Sequence, residues 1–168
     1  MLFLDTEFFE SRRGPRLLSI GIVSPASEFY AELDESSLAR MAGIRKNRFL
    51  QRTVLSQFRR IADAQTTLVE MAHKTALWLR VQGSESFQVA YDYSMDFKLL
   101  ADLLMLADPA VLAKLQPIHV GYLLEDPDGI AAADAAWSTA ESLHGLTRHH
   151  ALADAFALRA RFEAVHST

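Results

Sequence analysis

The sequence opens with an apolar run that carries two carboxylates, Leu2-Phe3-Leu4-Asp5-Thr6-Glu7-Phe8. The run predicts a buried strand over Leu2–Thr6, and the alternation of side chains in a strand places Asp5 and Glu7 on one face. Neighbouring carboxylates that are removed from water repel each other unless a cation lies between them. An all-oxygen ligand set favours Mg²⁺ or Mn²⁺ over zinc. The run therefore predicts a divalent-cation site, with an exposed acidic strand end as the alternative.

The remaining segments follow in an order typical of an α/β protein. Strands are predicted at Leu17–Val23, Glu28–Leu33, Phe87–Tyr91 and Ile118–Leu123, and helices at Thr66–Arg80, Asp96–Leu106, Ile130–Leu143 and Thr147–Val165. Ser24-Pro25-Ala26-Ser27 is typical of a hairpin turn, so the first three strands are predicted to be antiparallel. No internal repeat or long linker divides the 168 residues, and we expect one domain spanning residues 1–168.

A second acidic cluster follows the predicted strand Phe87–Tyr91. Asp96 opens a helical pattern of apolar residues, a position where an aspartate is also a common N-cap. Asp92 lies four residues earlier and offers a rival carboxylate. The leucines at the third and fourth positions after Asp96 would bury the helix behind a site, which favours Asp96 as the functional residue.

The third cluster lies at the start of the last predicted helix. It contains His149, His150 and Asp154. Acidic and basic side chains are common at helix starts without any function. By itself this cluster is therefore weak evidence for a site.

Taken together, the three clusters resemble the motifs of the DEDD family of 3'-to-5' exonucleases, in its His-containing branch. Asp5-Thr6-Glu7 matches the Asp-x-Glu strand of that family, Asp96 matches the helix-opening Asp, and His149 with Asp154 matches the His-x-x-x-x-Asp motif. The resemblance spans nearly the whole chain and points to small bacterial exoribonucleases related to ribonuclease T and ribonuclease AS. It implies an α/β fold with a ribonuclease-H-like mixed sheet that is flanked by helices.

The resemblance also implies a function: a metal-dependent exoribonuclease that releases nucleoside monophosphates from the 3' ends of single-stranded RNA. Two Mg²⁺ or Mn²⁺ ions would be held by Asp5, Glu7, Asp96 and Asp154, with Asp5 bridging them. His149 would act as the general base. A homodimer is a further implication of the resemblance.

Three other functions stay open. A 3'-to-5' DNA exonuclease of the same fold is one, since no residue identifies itself as a reader of the 2'-hydroxyl. A non-catalytic nucleic-acid-binding protein is another, although such a protein is expected to have lost an acidic residue. A phosphatase of the haloacid-dehalogenase type fits less well, because Glu7 stands where that type has a second aspartate. Two residue assignments also stay open: Asp92 against Asp96, and His150 against His149, which has the family's spacing to Asp154.

The net charge of -4 hides a local excess of basic residues. The segment from Ser36 to Arg60 contains no acidic residue, and Arg45, Lys46 and Arg48 within it are candidate contacts to a phosphate backbone. The alternative is a solvated basic surface. A second basic cluster consists of Arg12, Arg13 and Arg16.

Phe8 and Phe9 directly follow the acidic pair. An aromatic ring at this place could stack on a terminal base. Alternation in a strand makes one of the two a core residue, so at most one contacts a substrate. We expect Phe8 to be that residue.

The chain contains no cysteine, which excludes a disulfide framework and a thiolate metal site. No apolar run approaches the roughly 20 residues of a membrane span, and no basic leader precedes the first strand. We therefore expect a cytoplasmic protein that does not associate with membranes.

Overall fold

The computed structural model describes residues 1–83 and 85–166, and its centre is a six-stranded mixed sheet. The strands are β1 (Leu2–Ser11), β2 (Gly14–Val23), β3 (Glu28–Leu33), β4 (Gln65–Thr66), β5 (Phe87–Tyr91) and β6 (Leu115–His119). Their order across the sheet is β4-β3-β2-β1-β5-β6. The first three strands are antiparallel, as predicted, whereas β5 is parallel to β1 and β6 is parallel to β5. β1 therefore lies inside the sheet.

Helices cover both faces of this sheet. They are α1 (Glu35–Ala39), α2 (Leu68–Val81), α3 (Ser94–Ala107), α4 (Pro109–Leu112), α5 (Pro127–His144) and α6 (Ala151–His166). Short helical turns connect them at Ile44–Lys46, Leu50–Val54, Leu55–Gln57 and Gly121–Glu125. The predicted α/β class with helix-flanked strands is confirmed.

Alternate side chains of β1 pack into two separate parts of the core. Leu2 and Leu4 pack in the cluster that includes residues of α2 and α3. Phe3 packs in the cluster that includes residues of α5 and α6. Because Asp5 and Glu7 share the parity of Phe3, they lie on the face that α6 covers.

The last predicted strand was misplaced. The sequence pattern indicated Ile118–Leu123, whereas β6 spans Leu115–His119 and the residues from Gly121 form a helical turn. Pairing with β5 sets these bounds, because Phe87 lies opposite Leu115. β6 is an edge strand, so a proline inside it leaves no hydrogen bond of the sheet unmade.

Two predicted helices begin later than expected. Thr66 belongs to β4 and Thr67 caps α2, with a reciprocal hydrogen-bond pair between Thr67 and Glu70. α6 begins at Ala151 rather than at Thr147. His149 has a φ of 65°, in the left-handed region, which a right-handed helix cannot include.

None of the helices within residues 1–83 and 85–166 combines the length and the apolar character needed to cross a lipid bilayer.

Candidate metal centre

The start of α6 lies directly against β2 at a glycine. A Cβ atom at Gly21 would be 2.4 Å from the backbone carbon and oxygen of Ala151, a distance that no side chain tolerates. Gly21 pairs with Asp5 across the β1–β2 ladder. The glycine therefore lets the first turns of α6, which carry Asp154, come close to the acidic pair on β1.

β1 presents both of its carboxylates to this space. Oδ2 of Asp5 is buried and has no hydrogen-bond partner among the described residues. Just beyond Glu7 the ladder is irregular, because Glu7 pairs with Ser19 and Phe8 with Leu17. Irregularities of this kind bend a strand and re-aim its side chains. The sequence predicted the shared face but contained no signal for the irregularity.

Asp96 reaches the same site from α3, the helix that follows β5. It is 2% exposed, and its Oδ1 accepts hydrogen bonds from the backbone N–H of Thr6 at 3.2 Å and from Thr6 Oγ1 at 2.6 Å. Its Oδ2 is buried and makes no hydrogen bond to any described residue. Tyr93, not Asp96, occupies the N-cap position of α3. Capping therefore does not explain Asp96, which is tied instead to β1.

Asp154 is oriented by two donors. Its Oδ1 accepts a hydrogen bond from Trp137 Nε1 of α5 at 2.6 Å, and its Oδ2 accepts one from the backbone N–H of His149 at 2.9 Å. The guanidinium carbon of Arg148 lies 4.2 Å from the centre of the Trp137 ring. The sequence did not predict Trp137 and Arg148 as site residues, because neither stands at a motif position.

The carboxylates form two groups that could each hold a cation. Ligand atoms of Asp5, Asp92 and Asp96 lie within 4.8 Å of one another, and so do those of Glu7, His149 and Asp154. Both rival aspartates of the second motif thus reach the site, whereas His150 belongs to neither group. A cavity of about 170 Å³ joins the two groups; its lining includes Asp5, Asp92, Asp154 and His149.

Burial and mutual repulsion raise the pKa values of these acids. Burial, followed by repulsion from Asp154 and Asp96, raises the pKa of Glu7 to about 8. Burial is also the main cause that raises the pKa of Asp96 to about 7 and that of Asp154 to about 6. Asp5, beside four other carboxylates, has its pKa raised by burial and by their repulsion.

Hard divalent cations fit this donor set. The site offers carboxylate oxygens almost exclusively, and two of those oxygens are buried without a partner in the described parts of the chain. Mg²⁺ and Mn²⁺ prefer such ligands, and their charge would offset both the burial of the carboxylates and the repulsion between them.

The two adjacent histidines have opposite environments. His149 is exposed, and its ring meets Phe49 edge-on at 5.1 Å between centroids. His150 is 2% exposed and stacks on Tyr30 at 4.3 Å. Burial, and then the charge of Arg60, lowers the pKa of His150 to about 4. His149 is thus the histidine of this pair that faces the carboxylates.

Aromatic side chains flank the acidic cluster on two sides. The half-buried Phe8 stacks on Tyr93 with ring centroids 6.1 Å apart, and Tyr93 is 54% exposed. Phe49, beside His149, is also 54% exposed. Phe9 is a core residue, as the alternation predicted for one of the pair. The two exposed rings beside the cluster, Tyr93 and Phe49, were missed because the sequence does not show which loops meet at the site.

Two groups of exposed basic side chains lie outside the acidic cluster. Arg45, Lys46 and Arg48 are exposed. The segment that follows them is tied to the loop before α6 through the buried Gln57, whose Nε2 donates to the carbonyl oxygens of Thr53 and Arg148, each at 2.8 Å. A second basic surface lies beside the β1–β2 hairpin. It is a cavity of about 640 Å³ whose lining includes Arg12, Arg13, Arg16 and Arg40.

Neither a protein-family model nor a curated protein sequence matches this chain significantly.

Proposed function

We propose that the protein is a divalent-metal-dependent 3'-to-5' exonuclease of ribonuclease-H-like fold that acts on single-stranded RNA. The observation that carries the proposal is the convergence of Asp5, Glu7, Asp96 and Asp154 from three distant segments into one buried cluster beside the accessible imidazole of His149. The raised pKa values of the four acids support a cation site, because strongly perturbed carboxylates concentrate at functional sites.

Asp5, Glu7, Asp96 and Asp154 would hold two Mg²⁺ or Mn²⁺ ions. When bound, such ions lower the pKa of a coordinated water and stabilise the departing oxygen of a phosphodiester. Asp92 is a second candidate ligand, since its carboxylate lies within the same group as that of Asp96.

His149 would take a proton from the attacking water. Burial and then the charge of Arg148 lower its pKa, so the imidazole is neutral and able to accept a proton near pH 7. Attack at phosphorus breaks the bond to the 3'-oxygen of the preceding nucleotide. The products are a shortened strand with a 3'-hydroxyl and a nucleoside 5'-monophosphate.

The surroundings of the cluster support a single-stranded substrate. The exposed Phe49 and Tyr93 could stack on unpaired bases, an interaction of about 1–3 kcal/mol per base. The ring of the half-buried Phe8 stacks on one face of Tyr93 and would hold it in place. Arg45, Lys46 and Arg48 could neutralise backbone phosphates. RNA is favoured over DNA through the family resemblance.

The test is the release of mononucleotides from matched RNA and DNA strands that carry a label at the 5' or at the 3' end. We expect Mg²⁺ or Mn²⁺ to support stepwise shortening of RNA from the 3' end, and a chelator to abolish it. Shortening of DNA alone would establish the DNA exonuclease instead. Binding without any hydrolysis would establish a non-catalytic protein.

Two variants, one inside the cluster and one outside it, show whether the activity comes from this protein or from a contaminating nuclease. Asp5→Asn removes one charge from the cluster and should lower activity at least about 100-fold. Asp102→Asn removes the same charge from the exposed side of α3, where Asp102 pairs with Lys98, and should leave activity unchanged. Equal activities in the two variants would contradict a site built on Asp5.

A further inference from the structure

α6 carries a buried arginine that the proposed chemistry leaves unused. Arg161 lies two turns after Asp154 and is only 7% exposed. Its Nε and Nη1 atoms are buried, and neither makes a hydrogen bond within residues 1–83 and 85–166. Burying two guanidinium N–H groups without hydrogen-bond acceptors is unfavourable, and an unsatisfied group of this kind in a folded protein calls for an explanation, such as a bound ligand or water that accepts from it.

The fold makes room for this side chain at a specific place. A Cβ atom at Gly129, in the first turn of α5, would lie 2.8 Å from Cγ of Arg161. Glycine is unfavourable inside a helix relative to alanine by roughly 0.5–1 kcal/mol. The start of α5 is therefore built around the aliphatic stem of the arginine.

The arginine belongs to the acidic cavity. It contributes to the lining of the same space of about 170 Å³ as Asp5, Asp92 and Asp154. Arg148 lines this cavity as well, with its guanidinium over the Trp137 ring. The cavity thus combines carboxylates, which suit cations, with two guanidinium groups, which suit an anion.

A phosphate group beside bound cations satisfies both halves of such a cavity. Its oxygens accept hydrogen bonds from a guanidinium in a geometry that arginine matches well. We propose that Arg161 is a substrate-binding residue that donates to an oxygen of the phosphate group of the nucleotide being released. This inference rests on the proposed function, because it takes the ligand to be a nucleotide.

The alternative role for Arg161 is to neutralise Asp92. Burial raises the pKa of Asp92, and the positive charge of Arg161 is the largest effect in the opposite direction. A double-mutant cycle separates the two roles. If the arginine acts only through Asp92, its replacement has no further effect on ligand binding once Asp92 is uncharged.

The experiment measures the binding of adenosine 5'-monophosphate by calorimetry in the presence of Mn²⁺, with adenosine as the probe that lacks the phosphate. Arg161→Gln should weaken binding of the monophosphate roughly 10- to 100-fold and leave that of adenosine unchanged. The same loss should appear when Arg161→Gln is added to Asp92→Asn, because in that background Arg161 no longer has the charge of Asp92 to neutralise. Arg159→Gln, two residues earlier on α6 where Arg159 pairs with Glu163, is the matched control and should bind like the wild type.

A loss no larger than that of Arg159→Gln, or a loss that disappears in the Asp92→Asn background, would overturn the inference. Hydrolysis of RNA by the wild type is followed with the same preparations. If the wild type hydrolyses RNA but the arginine does not affect binding of the monophosphate, only this inference fails. If the arginine matters for binding but no strand is cut, the proposed hydrolysis fails, and what stands is the binding of a nucleotide phosphate by Arg161.

Discussion

At the scale of single residues, neighbouring positions in the chain serve different purposes. His149 and His150 are identical in type and adjacent, yet one ring faces the carboxylates and the other is buried against Tyr30. The left-handed backbone at His149 separates them, because it turns the chain just before α6 begins. Spacing to Asp154 favoured His149 in the sequence, and the structure places that residue within the cluster.

The first prediction distinguishes these two histidines. His149→Ala should lower turnover roughly 100- to 10,000-fold, the usual range for loss of a general base, with little change in metal binding. His150→Ala should instead lower the free energy of unfolding by about 1–3 kcal/mol, because it leaves a gap beneath Tyr30. Steady-state kinetics and denaturant unfolding of both variants provide the measurement. A turnover defect found only in His150→Ala would move the general base by one residue.

At the scale of elements, the site depends on how closely α6 approaches β2. Gly21 is the contact point, and Asp5 lies opposite it in the next strand. No other residue type fits at Gly21 without moving either the helix or the strand. The distance between the acidic strand and Asp154 is therefore set by the absence of a side chain.

The second prediction follows from this contact. Gly21→Ala should displace the start of α6, destabilise the protein by about 2 kcal/mol or more, and weaken Mn²⁺ binding, because Asp154 moves away from Asp5. Ser19→Ala, at the next position on the same face of β2, adds no atom and should bind Mn²⁺ as the wild type does. Thermal unfolding and calorimetric titration with Mn²⁺ test both variants. Unchanged metal affinity in Gly21→Ala would show that Asp154 does not share a site with Asp5.

Local sequence patterns predicted the helices and strands well where the periodicity of apolar residues and the strand pairing indicate the same bounds. The strand at Phe87–Tyr91 and the antiparallel start of the sheet were found, because apolar runs and turn residues mark them. The bounds of β6 were missed, since pairing with β5 and not local hydrophobicity decides them. The spacing of the motifs predicted the acidic residues of the site. The contributions of Trp137 and Arg161 arise only from tertiary packing, which no local pattern encodes.

At the scale of the whole molecule, the acidic cluster and an exposed basic segment occupy different places. Five acidic side chains meet in the cluster, whereas the exposed Arg45, Lys46 and Arg48 belong to a segment that adjoins the loop before α6. A net charge of -4 is therefore compatible with attraction of a polyanion. Two further predictions concern the buried and the exposed charges separately.

The third prediction concerns pH and metal removal. In the metal-free protein the pKa of Glu7 is about 8, above its unfolded value of about 4.5, so the folded state binds this proton more tightly than the unfolded chain. The unfolding free energy should fall as pH rises through about 7 to 8.5. Saturating Mg²⁺ should reduce this fall, and Glu7→Gln should reduce it without metal. Thermal melts across this range test the sign. A metal-free protein that gains stability over the same range would contradict it.

The fourth prediction concerns the exposed basic segment. Replacing Arg45, Lys46 and Arg48 by Gln should raise the KM for long RNA strands and flatten its salt dependence, with little effect on dinucleotides. If each residue contacts one phosphate, the logarithmic salt slope should decrease by about 2. Replacing Lys74, Lys98 and Lys114 by Gln removes equal charge from α2, α3 and the turn before β6, and serves as the control. An equal change of slope in both triple variants would show a general charge effect without a defined path for the strand.

The cluster is assembled from segments far apart in the chain, with Thr6 and Asp96 joined across 90 residues and Asp154 contributed by the last helix. Contacts of such sequence separation form late in folding, since the loops between them must close first. No partly folded form in which α6 is detached from β2 can hold the full set of carboxylates. If the protein is the nuclease proposed above, its activity should therefore appear only with the complete native state, so that a chain still folding would leave surrounding RNA intact.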